Sequence, residues 1–358
     1  MKILKFGQST LKDASSFSKV LEVIAHELKS KQEVHLVASA MNLVPERLQK
    51  ISQLAMVGDN SYKPILKNIE DEHFAIAKKF IDVKRQAKVL ANLKVMLNDL
   101  EEILYGVYLL WELSPRTMDH INGYGVKIAA YLLTECIKEK NIDAQYLDAQ
   151  QLIVTNSEYG NAEVDFAASE KKIKSYFGKA KNLTVVTGHI GATAKGESTT
   201  LGKAGNSLTA SILAAVLDAK ALVIYTDRDG ITNADTDLVD DAFSLGTISY
   251  AEAMELSNFG TKVIYPPSLQ PAFIKEIPIT IFNLYNSAFK GTVISKKVKA
   301  EKLPIKASSS IQHISLLNIQ GSGMVGVTGV AGRVFSALAA NKINVVLITQ
   351  ASSEHSIT

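Results

Sequence analysis

The sequence predicts an α/β protein in which a three-layer, mostly parallel sheet is followed by the start of a smaller α+β domain. Three observations carry this expectation. Short apolar runs of strand length alternate with stretches whose apolar residues recur every three or four positions. The runs at Val34–Ser39, Leu183–Thr187 and Lys220–Thr226 are mostly apolar rather than alternating, the pattern of strands covered on both faces. After about Thr292 the composition shifts to a charged segment, Lys296–Lys306, which carries Pro304.

In chain order, Lys2–Phe6 alternates polar and apolar residues as a strand, and Gly7 breaks it. Phe17, Leu21, Ile24 and Leu28 then fall at helical spacing. Val34–Ser39 is the second strand. From Pro45 to about Tyr131 the pattern is mostly helical, and Ala144–Leu147 and Leu183–Thr187 are further strands. Lys220–Thr226 is the clearest strand and enters a sharp turn at Asp227–Gly230. These elements form a first domain over residues 1–292, with 293–312 as linker and 313–358 as a second domain. In the latter, strand His313–Ile319, a glycine-punctuated loop Gly321–Gly332, helix Arg333–Ala340 and strand Asn344–Thr349 make a βαβ start. Its sheet is not yet buried when the sequence ends at Thr358, so the C-terminus reads as truncated.

The 358 residues are 47% hydrophobic and 21% charged, as in ordinary globular proteins. With 39 basic and 36 acidic residues the net charge is +3, too balanced for a nucleic-acid or membrane-surface partner. A lone cysteine, Cys136, cannot form an internal disulfide, and no apolar run reaches bilayer length, so a cytoplasmic protein is expected.

Three segments carry chemistry. Lys5-Phe6-Gly7-Gln8-Ser9-Thr10 puts a lysine at a strand end and a glycine turn before a helix, where free N–H groups suit phosphate oxygens. A plain β–α turn with a surface lysine is the rival reading. Tyr225-Thr226-Asp227-Arg228-Asp229-Gly230 puts a hydroxyl and a carboxylate where open α/β sheets bind ligands, Asp227 suiting a ribose hydroxyl or a metal ion; an acidic turn explains it equally well. Glu252–Gly260 reads as a helix stopped by glycine, with Lys262 poised for an anion or simply complementing the helix dipole. No Gly-X-Gly-X-X-Gly follows the first strand, which disfavours a dinucleotide-binding oxidoreductase.

Together these motifs, with Thr187-Gly188-His189-Ile190-Gly191, Leu201-Gly202 and Phe259-Gly260-Thr261-Lys262-Val263, resemble the aspartokinase family in order and spacing. Gly321-Ser322-Gly323-Met324, Arg333-Val334-Phe335 and Val345–Glu354 are similar to that family's first regulatory ACT module, in the form found in bifunctional aspartokinase–homoserine dehydrogenases. The resemblance implies an amino-acid-kinase fold and transfer of phosphate from Mg2+-ATP to the side-chain carboxylate of L-aspartate. It assigns Lys5 to the phosphoryl charge, and Gly7, Ser9, Tyr225, Thr226, Asp227, Gly230 and Lys262 to the nucleotide. Ser39, Val126 and Lys203 fall at substrate positions, Ser207 at a catalytic one, and Asn344 and Gln350 at effector contacts. No protein-bound metal site is implied. A homo-oligomer and a threonine or lysine effector are.

Several of these positions depart from the family pattern. Gln8 stands for a second glycine and places a side chain where backbone approaches phosphate. Val126 stands for a glutamate, Lys203 for an arginine, Ser207 for an aspartate, Asp237 for an arginine and Pro45 for a threonine. Asp227, Asp229 and Glu197 are the neighbours that could compensate. An aspartate kinase of impaired activity is therefore expected. The alternative is a catalytically degenerate module with a regulatory or dimerisation role, possible as part of a fusion to a homoserine dehydrogenase.

Overall fold

A computed structural model describes all residues except 31, 181, 259–263, 299–304, 312–313, 322–326, 342 and 351–355. The chain divides into two compact units, Met1–Ser309 and Ser310–Thr358, so the expected domain end at residue 292 falls inside the first.

The first unit runs β1 (Lys2–Phe6), α1 (Ala14–Lys29), β2 (Val34–Ala38), then four helices, α2 (Val44–Met56), α3 (Tyr62–Phe80), α4 (Val83–Leu110) and α5 (Pro115–Lys138). Next come β3 (Ala144–Leu147), β4 (Val154–Thr155), α6 (Phe166–Phe177), β5 (Leu183–Thr187), β6 (Ile190–Thr193), β7 (Ser198–Thr200), α7 (Gly205–Val216) and β8 (Ala221–Thr226). It closes with β9 (Thr247–Ser249), α8 (Tyr250–Asn258), α9 (Pro266–Ile274), β10 (Ile279–Asn283) and β11 (Thr292–Ser295).

Eight strands form one sheet in the order β3-β5-β2-β1-β8-β10-β11-β9. The first six run parallel, β11 turns back against β10, and β9 lies parallel to β11. Every residue of β2 and β5 is buried, so both faces are covered, as their mostly apolar runs require. Helix ends follow local chemistry: Asp13, Asp82, Ser114 and Asp165 each accept a backbone N–H in the first turn of α1, α4, α5 and α6.

A second, three-stranded sheet, β4-β6-β7, is tied to α5 by one carboxylate. Asp119 is 1% exposed. It accepts the N–H of Gly160 and of Thr200, both at 2.9 Å, and the Thr200 hydroxyl at 2.6 Å.

In the second unit β12 (Ile319–Gln320) and β13 (Ser356–Ile357) form an antiparallel pair, and α10 spans Val330–Ala340, starting three residues before the expected helix. The expected strands differ more. Residues 314–318 form no ladder, and 344–349 pair only at their end, where Thr349 and Thr358 exchange backbone hydrogen bonds and the next residue, Gln350, bridges Ile357. An apolar run becomes a strand only beside a neighbour. Leu316 and Leu347, 84% and 76% exposed, have none within the described residues. His313 and residues 322–326 of the Gly321–Gly332 loop lie outside those residues.

Candidate active site

Parallel strands end on the same side, and register brings five ends together. Phe6 lies beside Ala38 and Tyr225, Ala38 beside Thr187, and Thr226 beside Asn283. The residues that follow, from Gly7, Ser39, Gly188, Asp227 and Leu284, therefore share the carboxyl edge of the sheet, where such folds bind ligands.

On the β1 side, Thr10 donates its N–H and hydroxyl to the Gly7 carbonyl at 2.9 and 2.6 Å, closing a single turn over Gln8–Thr10. Gly7 itself donates to the Tyr225 carbonyl at 3.4 Å. The N–H groups of Gln8 and Ser9 have no acceptor among the described residues, as expected for the first residues of a turn. Gln8 has no positive φ, so glycine is not required there by conformation, and its amide is drawn to both carboxylate oxygens of Glu46 at 3.2 and 3.0 Å. Lys5 has no anionic partner among the described residues, and burial pushes its ammonium down to about 8.

Beside it, the Tyr225 ring is stacked between Phe6 and Phe282, with centroids 5.0 and 5.8 Å away. Thr226 donates to Asp227 at 3.2 Å, the only hydrogen bond to that carboxylate among the described residues. Asp229 is engaged by the amides of Asn283 and Asn286 at 2.7 and 2.9 Å. Gly230 has φ +66, and a β-carbon there would collide with the Thr292 hydroxyl, so both the turn and its packing require glycine. Asp237 sits in the next turn, its N–H donating to Asp235 at 3.0 Å. Lys262 lies outside the described residues.

On the β2 side, Ser39 donates its N–H to the Phe6 carbonyl at 3.2 Å and accepts the Asn206 amide at 3.0 Å. The site thus links β1 to the first turn of α7. The Asn206 Oδ1 is buried without a donor. His189, held at φ 71, packs against Gly205; burial lowers its pKa and Asp119 opposes this. Ser207 lies in the same first turn, its N–H donating to Ala204 at 2.8 Å. Lys203 is exposed, its ammonium 4.8 Å from the Tyr265 ring centroid.

Val126 is a core residue of α5, 3% exposed, and its neighbour Gly125 packs on Ala40, Val44 and Leu48 just beyond Ser39. Pro45 opens α2 there. Of the expected compensating acids, Glu197 is spent on Arg116, Tyr159 and Thr193 at 3.0, 3.0 and 3.3 Å, and Asp229 on its two asparagines; Asp227 alone remains. Sequence reasoning did not single out Asn206, His189 or Tyr285, whose hydroxyl donates to the Ser9 carbonyl at 2.8 Å. Asn206 offered one signal, standing between two expected site residues. Asn344 and Gln350 belong to the second unit, where Gln350 joins the bridge to Ile357 and Asn344 is exposed.

No helix among the described residues is long and apolar enough to cross a membrane. Residues 1–283 match the family model described as the amino acid kinase family, and residues 317–358 match an ACT domain. The chain is 32% identical over 360 residues to bifunctional aspartokinase/homoserine dehydrogenase 1, chloroplastic, of Arabidopsis thaliana, covering 99% of this chain and 39% of that protein. It is 27% identical to lysine-sensitive aspartokinase 3 of Escherichia coli (strain K12), covering 99% and 77%. The chain spans only 39% of the length of the first curated relatives it matches. Among solved structures, Escherichia coli aspartokinase III in complex with aspartate and ADP (R-state) superposes with a TM-score of 0.82 at 25% identity, covering 100% of this chain and 77% of that one. The same enzyme with lysine and aspartate (T-state) gives 0.80 at 26%, covering 100% and 78%.

Proposed function

The chain belongs to the amino acid kinase family, and on that premise we propose that it transfers the terminal phosphoryl group of ATP to the side-chain carboxylate of L-aspartate. This is the entry step of amino-acid biosynthesis toward lysine, threonine and methionine. One observation carries the reading: the unpaired Lys5 ammonium lies against Gly7, where a β-carbon would meet it at 3.2 Å, next in the chain to the free N–H groups of Gln8 and Ser9 and on the same sheet edge as the Ser39–Asn206 pair. The aspartate and ADP complex of the Escherichia coli relative supports it.

A carboxylate is already a nucleophile, so no general base is needed. One of its oxygens bonds to the terminal phosphorus, the bond to the bridging oxygen breaks, and ADP leaves. Positioning and charge neutralisation then supply the catalysis. Lys5 and the two N–H groups meet the phosphoryl oxygens, Thr226, Asp227, Gly230 and Lys262 hold the nucleotide, and Ser39, Lys203 and Ser207 face the acceptor. Asp227 has lone pairs to spare and would hold a magnesium ion by its carboxylate. When bound, that ion neutralises phosphate charge. We assign the effector, threonine or lysine, to Asn344 and Gln350 within the ACT-matching segment, the chain to a homo-oligomer, and its setting to the cytoplasm, since the lone Cys136 is free.

Val126 favours a second reading, a degenerate module, because a buried valine cannot pair with an acceptor's ammonium. Aspartate-dependent ADP release separates the two. The parent is expected to turn over, and Lys5→Met to lose at least about 100-fold, the scale for removing one preorganised donor. A parent that binds ATP without turnover selects the second reading. A parent neither active nor stabilised by ATP removes the nucleotide assignment.

A further inference from the structure

Beyond the residues that meet the nucleotide, we propose that Tyr285 is a positioning residue that holds the Gly7–Thr10 turn at a fixed distance from the Thr226–Gly230 turn. The inference rests on the nucleotide reading above.

The segment after β10 is first anchored to the β8 side. Leu284 donates its N–H to the Thr226 carbonyl at 2.9 Å, and the amides of Asn283 and Asn286 hold the two oxygens of Asp229 at 2.7 and 2.9 Å. Asn283 Oδ1 also accepts the Tyr285 N–H at 2.8 Å, which fixes the backbone from which the ring projects. From that base the Tyr285 hydroxyl donates to the Ser9 carbonyl at 2.8 Å and lies 2.9 Å from the Ser16 hydroxyl on α1. The ammonium groups of Lys12 and Lys19 lie 4.6 and 5.1 Å from its ring centroid, so the ring cannot shift without losing two cation–π contacts.

The bonded carbonyl belongs to the peptide just after the free Ser9 N–H. Holding it sets the direction in which the Gln8 and Ser9 N–H groups face, while Asp229 and Thr226 set the opposite rim. One side chain therefore spans both loops of the nucleotide side. Residues that share a phosphate between two loops need that separation fixed before the ligand arrives, because ordering it on binding costs affinity.

Tyr285→Phe keeps the ring and its lysines and deletes only the hydroxyl. We expect ATP affinity by calorimetry, and kcat/KM for ATP, to fall about five- to tenfold, the worth of one net hydrogen bond. The KM for aspartate should stay at the parental value, and the Tm should fall by no more than the few degrees that one net hydrogen bond is worth. Ser16→Ala, which spares the Ser9 bond, should bind ATP like the parent. Parental ATP affinity in Tyr285→Phe would overturn the proposal, and so would an equal loss in Ser16→Ala, which would point to general packing of α1. If the parent itself binds no ATP, the kinase reading fails first and this inference falls with it.

Discussion

At the scale of the residue, Lys5 sets a positive charge against its own desolvation. Its ordinary value of 10.5 is pushed down to about 8, so the folded state gives up this proton before the unfolded one does. Below about 8 the ammonium is present and its burial cost is carried in full. Between 8 and 10.5 rising pH relieves that cost, and this residue's contribution to stability improves. Activity moves the other way: kcat/KM for ATP should fall as pH passes about 8, and a profile flat to pH 10 would remove Lys5 from the phosphoryl site. Val126 poses a second single-residue test. Placing a carboxylate at a position 3% exposed, as Val126→Glu does, should destabilise the chain by about 2 kcal/mol or more, read as a lower Tm. A parental Tm would show that a cation or a void lies within its reach. Lys5, Gly7 and Asp227 were legible because strand, turn and charge sit within a few residues of one another. Tyr285 was not, since its meaning depends on Ser9 and Ser16 far away in sequence.

At the scale of the element, Asp119 decides whether the small β4-β6-β7 sheet stays on α5. Asp119→Ala strands two buried donors, the N–H and hydroxyl of Thr200, and releases the N–H of exposed Gly160, and should cost about 3 kcal/mol by thermal melting. His189 leads into that sheet at β6 and Leu201–Ala204 leaves it from β7 toward α7, so the same variant should weaken acceptor binding more than ATP binding. Equal loss of both would mean that the sheet does not position the acceptor side. Most first-unit elements were legible because β2, β5 and β8 are short, mostly apolar runs set between helical patterns. Residues 314–318 and 344–349 carry the same kind of run, yet form almost no ladder, because strand propensity expresses itself only against a partner.

For the whole molecule, the two units differ in how much they bury. The first contains a continuous core from Ile3 to Ile294, whereas Ile357 is the single buried apolar residue among those described in the second. Amide exchange should therefore separate them, with β1, β2, β5 and β8 protected up to global unfolding and residues 314–318 and 343–348 exchanging orders of magnitude faster. Uniform protection across the chain would contradict this. The topology of the large sheet also bears on how the protein comes to exist. Lys2 has Val34 on one side but Ala221 on the other. During synthesis at about 5–20 residues per second, the central strand must wait roughly 10–40 s with one edge bare. The strand that carries Lys5 is made among the first residues and gains its second neighbour only once residues 221–226 exist, so the newborn chain passes through a long interval in which a chaperone, and no ligand, has reason to hold it.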